Sequence, residues 1–349
     1  MVKFPKMYTP ALIVDLPVFT HNVDAAEEML KGSNKVLRPH FKSHNTPALA
    51  LRQLSQHTNG VTCATLGEVE AVVNAGIKNV LIANEIVTLD KINNVANIAQ
   101  KAKITVCVDA IEPLRLLSKT CEEKNVILGV LVDLDVGLGR CGVKDVHKAV
   151  DLARKVSEMP GLEFKGIMGY EGRVRATMPN REIFICSAYN KLAETKEAIE
   201  KSGLQVDVVS AAGTSTLPEA LADETITEIQ AGTYALMESD LDGLGLPFRC
   251  AVYVLGTVIS VSPGRAVLDV GRKTIGDDYG LPILIHNNGK TESISDEHII
   301  LEWKGDLPPI GSSLKLRPSQ NRTTFNLYDE VWLTNGHEIV DRVPIAPRG

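Results

Sequence analysis

Lys42 stands in His40-Phe41-Lys42-Ser43-His44, at the end of an apolar, β-branched run. Burying an unpaired ammonium there is costly, and desolvation lowers an amine's pKa. A neutral lysine amine attacks aldehydes, so this setting suits a Schiff-base lysine. The competing reading is a lysine whose stem lies on the apolar surface while its head reaches solvent. Two further segments suit an anion: Gly213-Thr214-Ser215-Thr216 in VSAAGTST, and Gly232-Thr233 in QAGTY. Glycine lets the backbone approach a phosphate, and successive N–H groups point at it. Asp135 and Arg140 in VDLDVGLGRCGV and Tyr170 in GIMGYEGR add a carboxylate, a guanidinium and a phenol.

These residues need elements to position them. Strand-like runs fall at Val36 to Phe41, Gly60 to Ala64, Val80 to Ala83, Ile104 to Val108, Ile127 to Leu134, Phe164 to Tyr170, Val206 to Ser210 and Glu228 to Gln230. Between them, apolar residues recur at three- and four-residue spacing over Leu66 to Ala75, Leu89 to Ala99, Pro113 to Glu123, Val143 to Met159 and Arg181 to Lys201. Such alternation predicts an α/β fold, and eight strands close into a (β/α)8 TIM-type barrel more readily than they form an open doubly wound sheet. Every residue singled out above falls at or just after the C-terminal end of a strand, where barrel active sites are built. The two Gly-Thr segments follow the seventh and eighth strands, the usual phosphate position.

After about Tyr234 the pattern changes to alternating residues with Gly, Pro, Asn and Asp turns, as in CAVYVLGTVISV and SLKLR. This predicts a barrel over residues 18–236 and a C-terminal β domain over 237–349, with an early strand, Ala11 to Asp15, pairing into the latter. The length of 349 residues accommodates a barrel of ~250 residues plus an addition. A net charge of -6, with Lys and Arg scattered along the chain, argues against a nucleic-acid partner. No stretch approaches the ~20 apolar residues that span a bilayer, and MVKFPKMYTP has no apolar signal core, so a cytoplasmic protein with no membrane partner is expected. The six cysteines contain no CxxC pair and read as reduced thiols, with Cys63, Cys107 and Cys186 as small buried hydrophobes.

RPHFKSHNTP, VDLDVGLGRCGV, GIMGYEGR, VSAAGTSTL, EIQAGTY and SDEH, in this order, resemble the D-threonine aldolase and D-serine dehydratase family, over nearly the whole chain. The resemblance implies the alanine-racemase-like fold type III, pyridoxal 5'-phosphate (PLP) as cofactor, and a homodimer. It implies that Lys42 forms the Schiff base and acts as base, that Arg140 lies near the cofactor's phenolic oxygen or the substrate carboxylate, and that Tyr170 lies beside the pyridine ring. Gln230 would face the ring nitrogen, with His40 and Ser210 also at the cofactor. Gly213, Thr214, Gly232, Thr233 and Tyr234 would form the phosphate end. A carboxylate there would hold the ring nitrogen protonated, whereas a neutral amide at Gln230 cannot enforce that charge. The expectation is a less fully delocalised α-carbanion, which favours reactions in which a proton or carbonyl fragment moves quickly.

The chain also departs from the family. Family members carry PxHxC or PxHxD near the C-terminus, whose two side chains bind a divalent metal; here the segment reads Pro318-Ser319-Gln320-Asn321-Arg322. Neither Gln320 nor Arg322 is a normal metal ligand, and a guanidinium repels a cation. The expectation is therefore no metal at that site. Arg173 replaces the histidine usual after the YEG segment. Arg173, Arg322 and His298 of SDEH are the candidate substrate-binding residues, against surface or interdomain salt bridges for the arginines and a structural hydrogen bond for His298 (as for His44). The resemblance implies a PLP-dependent lyase on a small D-amino acid bearing a β-hydroxyl, by retro-aldol cleavage or dehydration. The alternative is a metal-independent racemase or epimerase, which needs an acid/base on each face of the substrate; Tyr279 is a weak candidate for the second face. A non-catalytic PLP carrier is a third reading, and the C-terminal β domain argues against it.

Overall fold

A computed structural model describes residues 7–172 and 174–347. The described chain opens with β1 (Ala11–Asp15) and α1 (Leu16–Leu30). Next come β2 (Val36–Leu37), α2 (Pro47–Arg52), β3 (Val61–Cys63), α3 (Leu66–Asn74), β4 (Asn79–Glu85), α4 (Leu89–Ala99), β5 (Lys103–Val108) and α5 (Ile111–Lys124). They are followed by β6 (Leu128–Asp133), α6 (Val146–Glu158), β7 (Leu162–Gly169), α7 (Arg181–Lys201), β8 (Val208–Ala211), α8 (Leu217–Ala222) and β9 (Glu228–Ile229). Backbone contacts divide the chain into two compact units: residues 27–42 with 50–232, and residues 1–26 with 43–49 and 233–349.

The first unit is the expected α/β barrel. Its eight strands run parallel in the order β2-β9-β8-β7-β6-β5-β4-β3. The ring is completed by backbone bonds between two segments that form no regular ladder: Leu37 N–H to His57 O (2.8 Å), Asn59 N–H to Leu37 O (2.9 Å) and Thr62 N–H to Pro39 O (2.9 Å). Closure leaves no sheet edge, so strand residues are buried on both faces; all six of β6 are. Leu81, Cys107, Leu131 and Met168, one from each of β4 to β7, form a buried apolar cluster. Asp145 caps α6 by accepting the Lys148 N–H at 3.1 Å.

Two expectations are corrected. The first strand was expected to reach Phe41, but its ladder ends at Leu37. Pro39 has no N–H to continue it, although His40 still bridges to Thr62. Lys42 therefore lies on a single 3-10 turn, Phe41–Ser43, instead of on a strand end. Cys186 was expected to be buried and is exposed. The buried stripe of α7 runs through Ile185, Ala188, Tyr189 and Leu192, and at 3.6 residues per turn position 186 falls off it.

The second unit is the expected β domain. It holds β10 (Val252–Ser262), β11 (Arg265–Leu268), β12 (Ile283–Leu284), β13 (Gly289–Ile294), β14 (Ile299–Trp303), β15 (Ser313–Arg317), α9 (Asn321–Asn326), β16 (Glu330–Asn335) and β17 (Glu338–Pro344). The early strand β1 joins its sheet as anticipated, antiparallel to β10 and parallel to β16, and the other strand pairs are antiparallel. Residues 43–49 belong here because Asn45 is tied to the end of the described chain: Ala346 N–H donates to Asn45 O (2.7 Å) and Asn45 Nδ2 to Pro347 O (2.9 Å).

Candidate active site

At the C-terminal end of the barrel strands, His40, Lys42, Arg140, Tyr170 and Gln230 line one cavity of about 220 Å³. Lys42 is half-buried on its 3-10 turn, and its Nζ lies 5.7 Å from the centre of the Tyr170 ring. That ring takes space other residues leave: a Cβ added to Gly172 would stand 2.1 Å from Tyr170 Cε1, and one on Gly213 would stand 3.2 Å from its hydroxyl. The glycines of YEG and AAGT are thus explained by the aromatic ring beside them.

Two carboxylates at this end, Asp135 and Asp133, differ in their surroundings. Asp135 is buried, which raises its pKa, but the N–H groups of Gly139 (2.9 Å) and Gly137 (3.0 Å), with Lys144 and Lys191, hold it below the ordinary carboxylate range. It shapes the loop that carries Arg140. For Asp133, burial and then a hydrogen bond with the Glu85 carboxyl push the pKa up to about 8, opposed by the charge of Arg140. Burial and the Glu85 carboxyl thus favour the protonated form of Asp133, at the C-terminal end of β6.

Gln230 is anchored from beneath. Gln230 follows β9 directly, its N–H still bonded to Ala211 O (3.0 Å), and lies two residues from Glu228, so the two side chains share a face. Ser210 pairs in register with Glu228 across the β8–β9 ladder. Gln230 Nε2 donates to Ser210 Oγ (2.9 Å), Ser210 Oγ donates to Glu228 Oε1 (2.8 Å), and Glu228 Oε2 accepts from Arg38 Nε (2.7 Å) and Asn59 Nδ2 (3.2 Å). Arg38, Ser210, Glu228 and Gln230 are all buried.

The Gly-Thr segment after β8 is held by a residue the sequence reading passed over. Glu171, buried, accepts from Thr216 Oγ1 (2.5 Å), Tyr189 Oη (3.1 Å) and Ala212 N–H (3.2 Å). Burial raises its pKa, and these donors pull it back. The Gly213 N–H is turned to Thr216 Oγ1 (3.1 Å), so in this conformation it shapes the loop. Thr214 and Gly232 are buried as well. Glu68, also unmarked by the sequence reading, sits in the first turn of α3 and accepts the Ala64 N–H (2.6 Å) just before it; burial raises its pKa, and that N–H and the charge of Lys42 oppose this. Arg38, Glu228 and Glu171 share one signal in retrospect, a charged residue inside or next to an otherwise apolar strand.

The remaining predicted residues belong to the β unit or lie outside the described residues. Thr233 opens a short 3-10 turn, its carbonyl accepting from Met237 N–H (2.7 Å), and Tyr234 is fully buried with its ring 5.6 Å from that of Phe248. His44 is buried with Nδ1 accepting from Thr46 N–H at 3.0 Å, the structural bond expected of it. His298 is exposed in the turn between β13 and β14. Arg173 lies outside the described residues. Gln320 precedes α9 and its carbonyl accepts from Thr324 Oγ1 (2.6 Å). Arg322 Nη2 lies 3.3 Å from Tyr279 Oη and 3.5 Å from Glu238 Oε2, and its side chain is 32% exposed. Among the described residues no group of three or more His, Cys, Asp or Glu is placed to hold a metal ion, and no helix is long and apolar enough to cross a membrane.

Residues 14–240 match the family model described as alanine racemase, N-terminal domain, and residues 251–334 match a serine dehydratase domain. A D-threonine aldolase of Arthrobacter sp is 34% identical over 98% of this chain and 93% of its own length. A 3-hydroxy-D-aspartate aldolase of Paracoccus denitrificans is 31% identical over 99% of this chain and 93% of its own. Among solved structures, the D-threonine aldolase of Filomicrobium marinum superposes with a TM-score of 0.94 at 34% identity, over 100% of this chain and 98% of that one.

Proposed function

The chain belongs to the alanine racemase N-terminal domain family, in its D-threonine aldolase-like branch, and on that premise we propose that it cleaves a β-hydroxy D-amino acid carrying a second anionic group. PLP is the cofactor and the enzyme is a lyase of the kind its relatives represent. When bound, the cofactor supplies an electron sink for the substrate's α-carbon. The side chains lining the cavity fit that group: an amine for covalent attachment, a phenol ring to lie beside an aromatic one, and an amide and a guanidinium for its heteroatoms.

Lys42 would hold the cofactor through its amine and would serve as the base for the β-hydroxyl proton. In retro-aldol cleavage that proton leaves oxygen, the Cα–Cβ bond breaks, the β-carbon departs as an aldehyde, and Cα takes up a proton to give glycine. Tyr170, whose ring centre lies 5.7 Å from Lys42 Nζ, would lie beside the cofactor's ring. Arg140 orients the cofactor's phenolic oxygen or the substrate carboxylate, and the loops at Gly213-Thr214 and Gly232-Thr233 hold the phosphate.

The observation that carries the second anion is Arg322, which stands where the family places a metal ligand and leaves about a third of its side chain exposed while Glu238 and Tyr279 steady it. A guanidinium cannot lower a hydroxyl's pKa as a metal does, but it orients a carboxylate through paired hydrogen bonds. Two 3-hydroxy-D-aspartate aldolases stand among the relatives, and their named substrate carries a second carboxylate. The reaction is accordingly metal-independent, in a cytoplasmic homodimer. The racemase alternative gains no support, because Tyr279, its second-face candidate, has its hydroxyl engaged by Arg322. Incubating the enzyme with D-threonine, 3-hydroxy-D-aspartate and D-serine decides the matter. Aldehyde plus glycine identifies the aldolase, ammonia plus an oxo acid the dehydratase, and inversion without either product would sink the lyase reading.

A further inference from the structure

Glu228, paired with Arg38, is an acceptor at both oxygens. A serine hydroxyl has one proton, and Ser210 commits it to Glu228 Oε1. The Ser210 oxygen is then an acceptor toward Gln230, so the amide atom facing it must be the nitrogen. This settles the amide's orientation by chemistry: Nε2 turns down to Ser210. Gln230 Oε1 has no hydrogen-bond partner among the described residues, nor is it one of the buried polar atoms left without one. Gln230 lines the cavity, and Oε1 is the atom it offers there.

The geometry points to Arg38, Glu228 and Ser210 as positioning residues that make Gln230 present a hydrogen-bond acceptor, and so hold the cofactor's ring nitrogen protonated. The inference rests on the reading that Gln230 faces that nitrogen. An amide alone is indifferent, because it can turn either its N–H or its carbonyl toward a ring. Here the buried chain removes the choice. It also strengthens the acceptor, since donation from Nε2 toward an oxygen that itself donates to a carboxylate shifts electron density onto Oε1. The consequence is chemical: a protonated ring takes up the α-carbon's electron pair more fully than a neutral one. The acceptor that a ring-facing carboxylate would supply comes here from an amide, oriented by a carboxylate two hydrogen bonds behind it.

The test is the 15N resonance of the ring nitrogen in holoenzyme loaded with 15N-labelled PLP. The wild type should resonate in the pyridinium range and stay there across neutral pH; a neutral-pyridine resonance overturns the inference, and this measurement needs no substitution. Ser210→Ala, which releases the amide, should move the signal toward neutral pyridine, as should Gln230→Ala. If Gln230→Ala moves it and Ser210→Ala does not, the chain from Arg38 plays no part, although Gln230 still faces the ring. If neither moves it, the reading that Gln230 faces the ring nitrogen falls, and this inference with it.

Discussion

The barrel cavity and the Arg322 cluster are assembled from the same kinds of side chain, and they use them differently. In the barrel, an amine, a phenol, a guanidinium and an amide turn toward one void, while the carboxylates that steady them, Glu228, Glu171 and Asp135, sit behind and accept hydrogen bonds from neighbours. In the β unit the polar groups turn to each other: Arg322 to Glu238 and Tyr279, and the Asn321 N–H to Glu238 Oε1 (3.0 Å). The first arrangement is built for a cofactor. The second holds one positive charge in place, at positions where the resemblance implies metal ligands, and the contrast sets a cavity for a cofactor against a cluster closed on itself.

The largest effect expected is on the barrel side. Purified enzyme should be yellow, and borohydride should fix the cofactor onto Lys42. Lys42→Ala should abolish the absorption band and lower activity by roughly 10³-fold or more, the loss typical of removing a positioned base. A variant that keeps both band and activity would remove the central residue from the site.

On the β side, Arg322→Ala should cost roughly ten- to a hundredfold in kcat/KM, from the loss of a charge-assisted hydrogen bond of ~1.5–3 kcal/mol. The loss should appear with 3-hydroxy-D-aspartate and not with D-threonine, which has no second anion. Arg173→Ala is the parallel test. Equal losses on both substrates for both variants would mean that neither arginine reads the second anion.

The barrel was legible in the sequence because closed parallel strands must be apolar on both faces and their helices must alternate with them, so both periods are written in the residues. The full span of α7 and the place of β1 followed from pattern alone. Lys42 was found but its turn was not, since a strand pattern runs past Pro39 while the ladder cannot. Glu228 went unmarked because a lone charge in EIQ looks like a strand boundary; only the ring of strands brings it to Arg38 and Ser210. Cys186 was misread because composition suggested burial, whereas the face of α7 decides it. The relation of Asp133 to Glu85 arises between two barrel strands' ends and has no sequence signature.

That pair gives a smaller, conformational test of the barrel side. Asp133 is pushed up to about 8, far above an unfolded aspartate near 3.8, so the folded state binds a proton that the unfolded state has already released. Its contribution to stability is complete below the unfolded value and is lost as pH rises through about 8, by at most about 1.4 kcal/mol per pH unit. Asp133→Asn should flatten the fall in Tm between pH 5 and pH 8 by removing the titration. A wild-type Tm that rises steadily over that range, with no change in slope in the variant, would contradict a neutral Asp133.

The smallest effect expected is none, on treatment with a chelator. The family's metal is held by the third and fifth residues of PxHxC or PxHxD, and in this chain those positions are Gln320 and Arg322. An amide oxygen is a poor ligand for the transition metals that favour imidazole and thiolate, and a guanidinium held 3.5 Å from Glu238 adds a fixed positive charge where a cation would have to approach. On the proposed reading Arg322 takes the metal's electrostatic task, and a side chain cannot be extracted by a chelator. Activity on 3-hydroxy-D-aspartate should therefore survive prolonged dialysis against chelator within about twofold, less than the ~0.4 kcal/mol that such a factor represents. The same dialysis should abolish activity in a double variant, Gln320→His with Arg322→Cys, if those two changes restore the family's ligands and metal is then required. Stoichiometric zinc or manganese in the wild type, lost together with its activity, would show that other residues have rebuilt the site and that Arg322 reinforces a metal instead of replacing one.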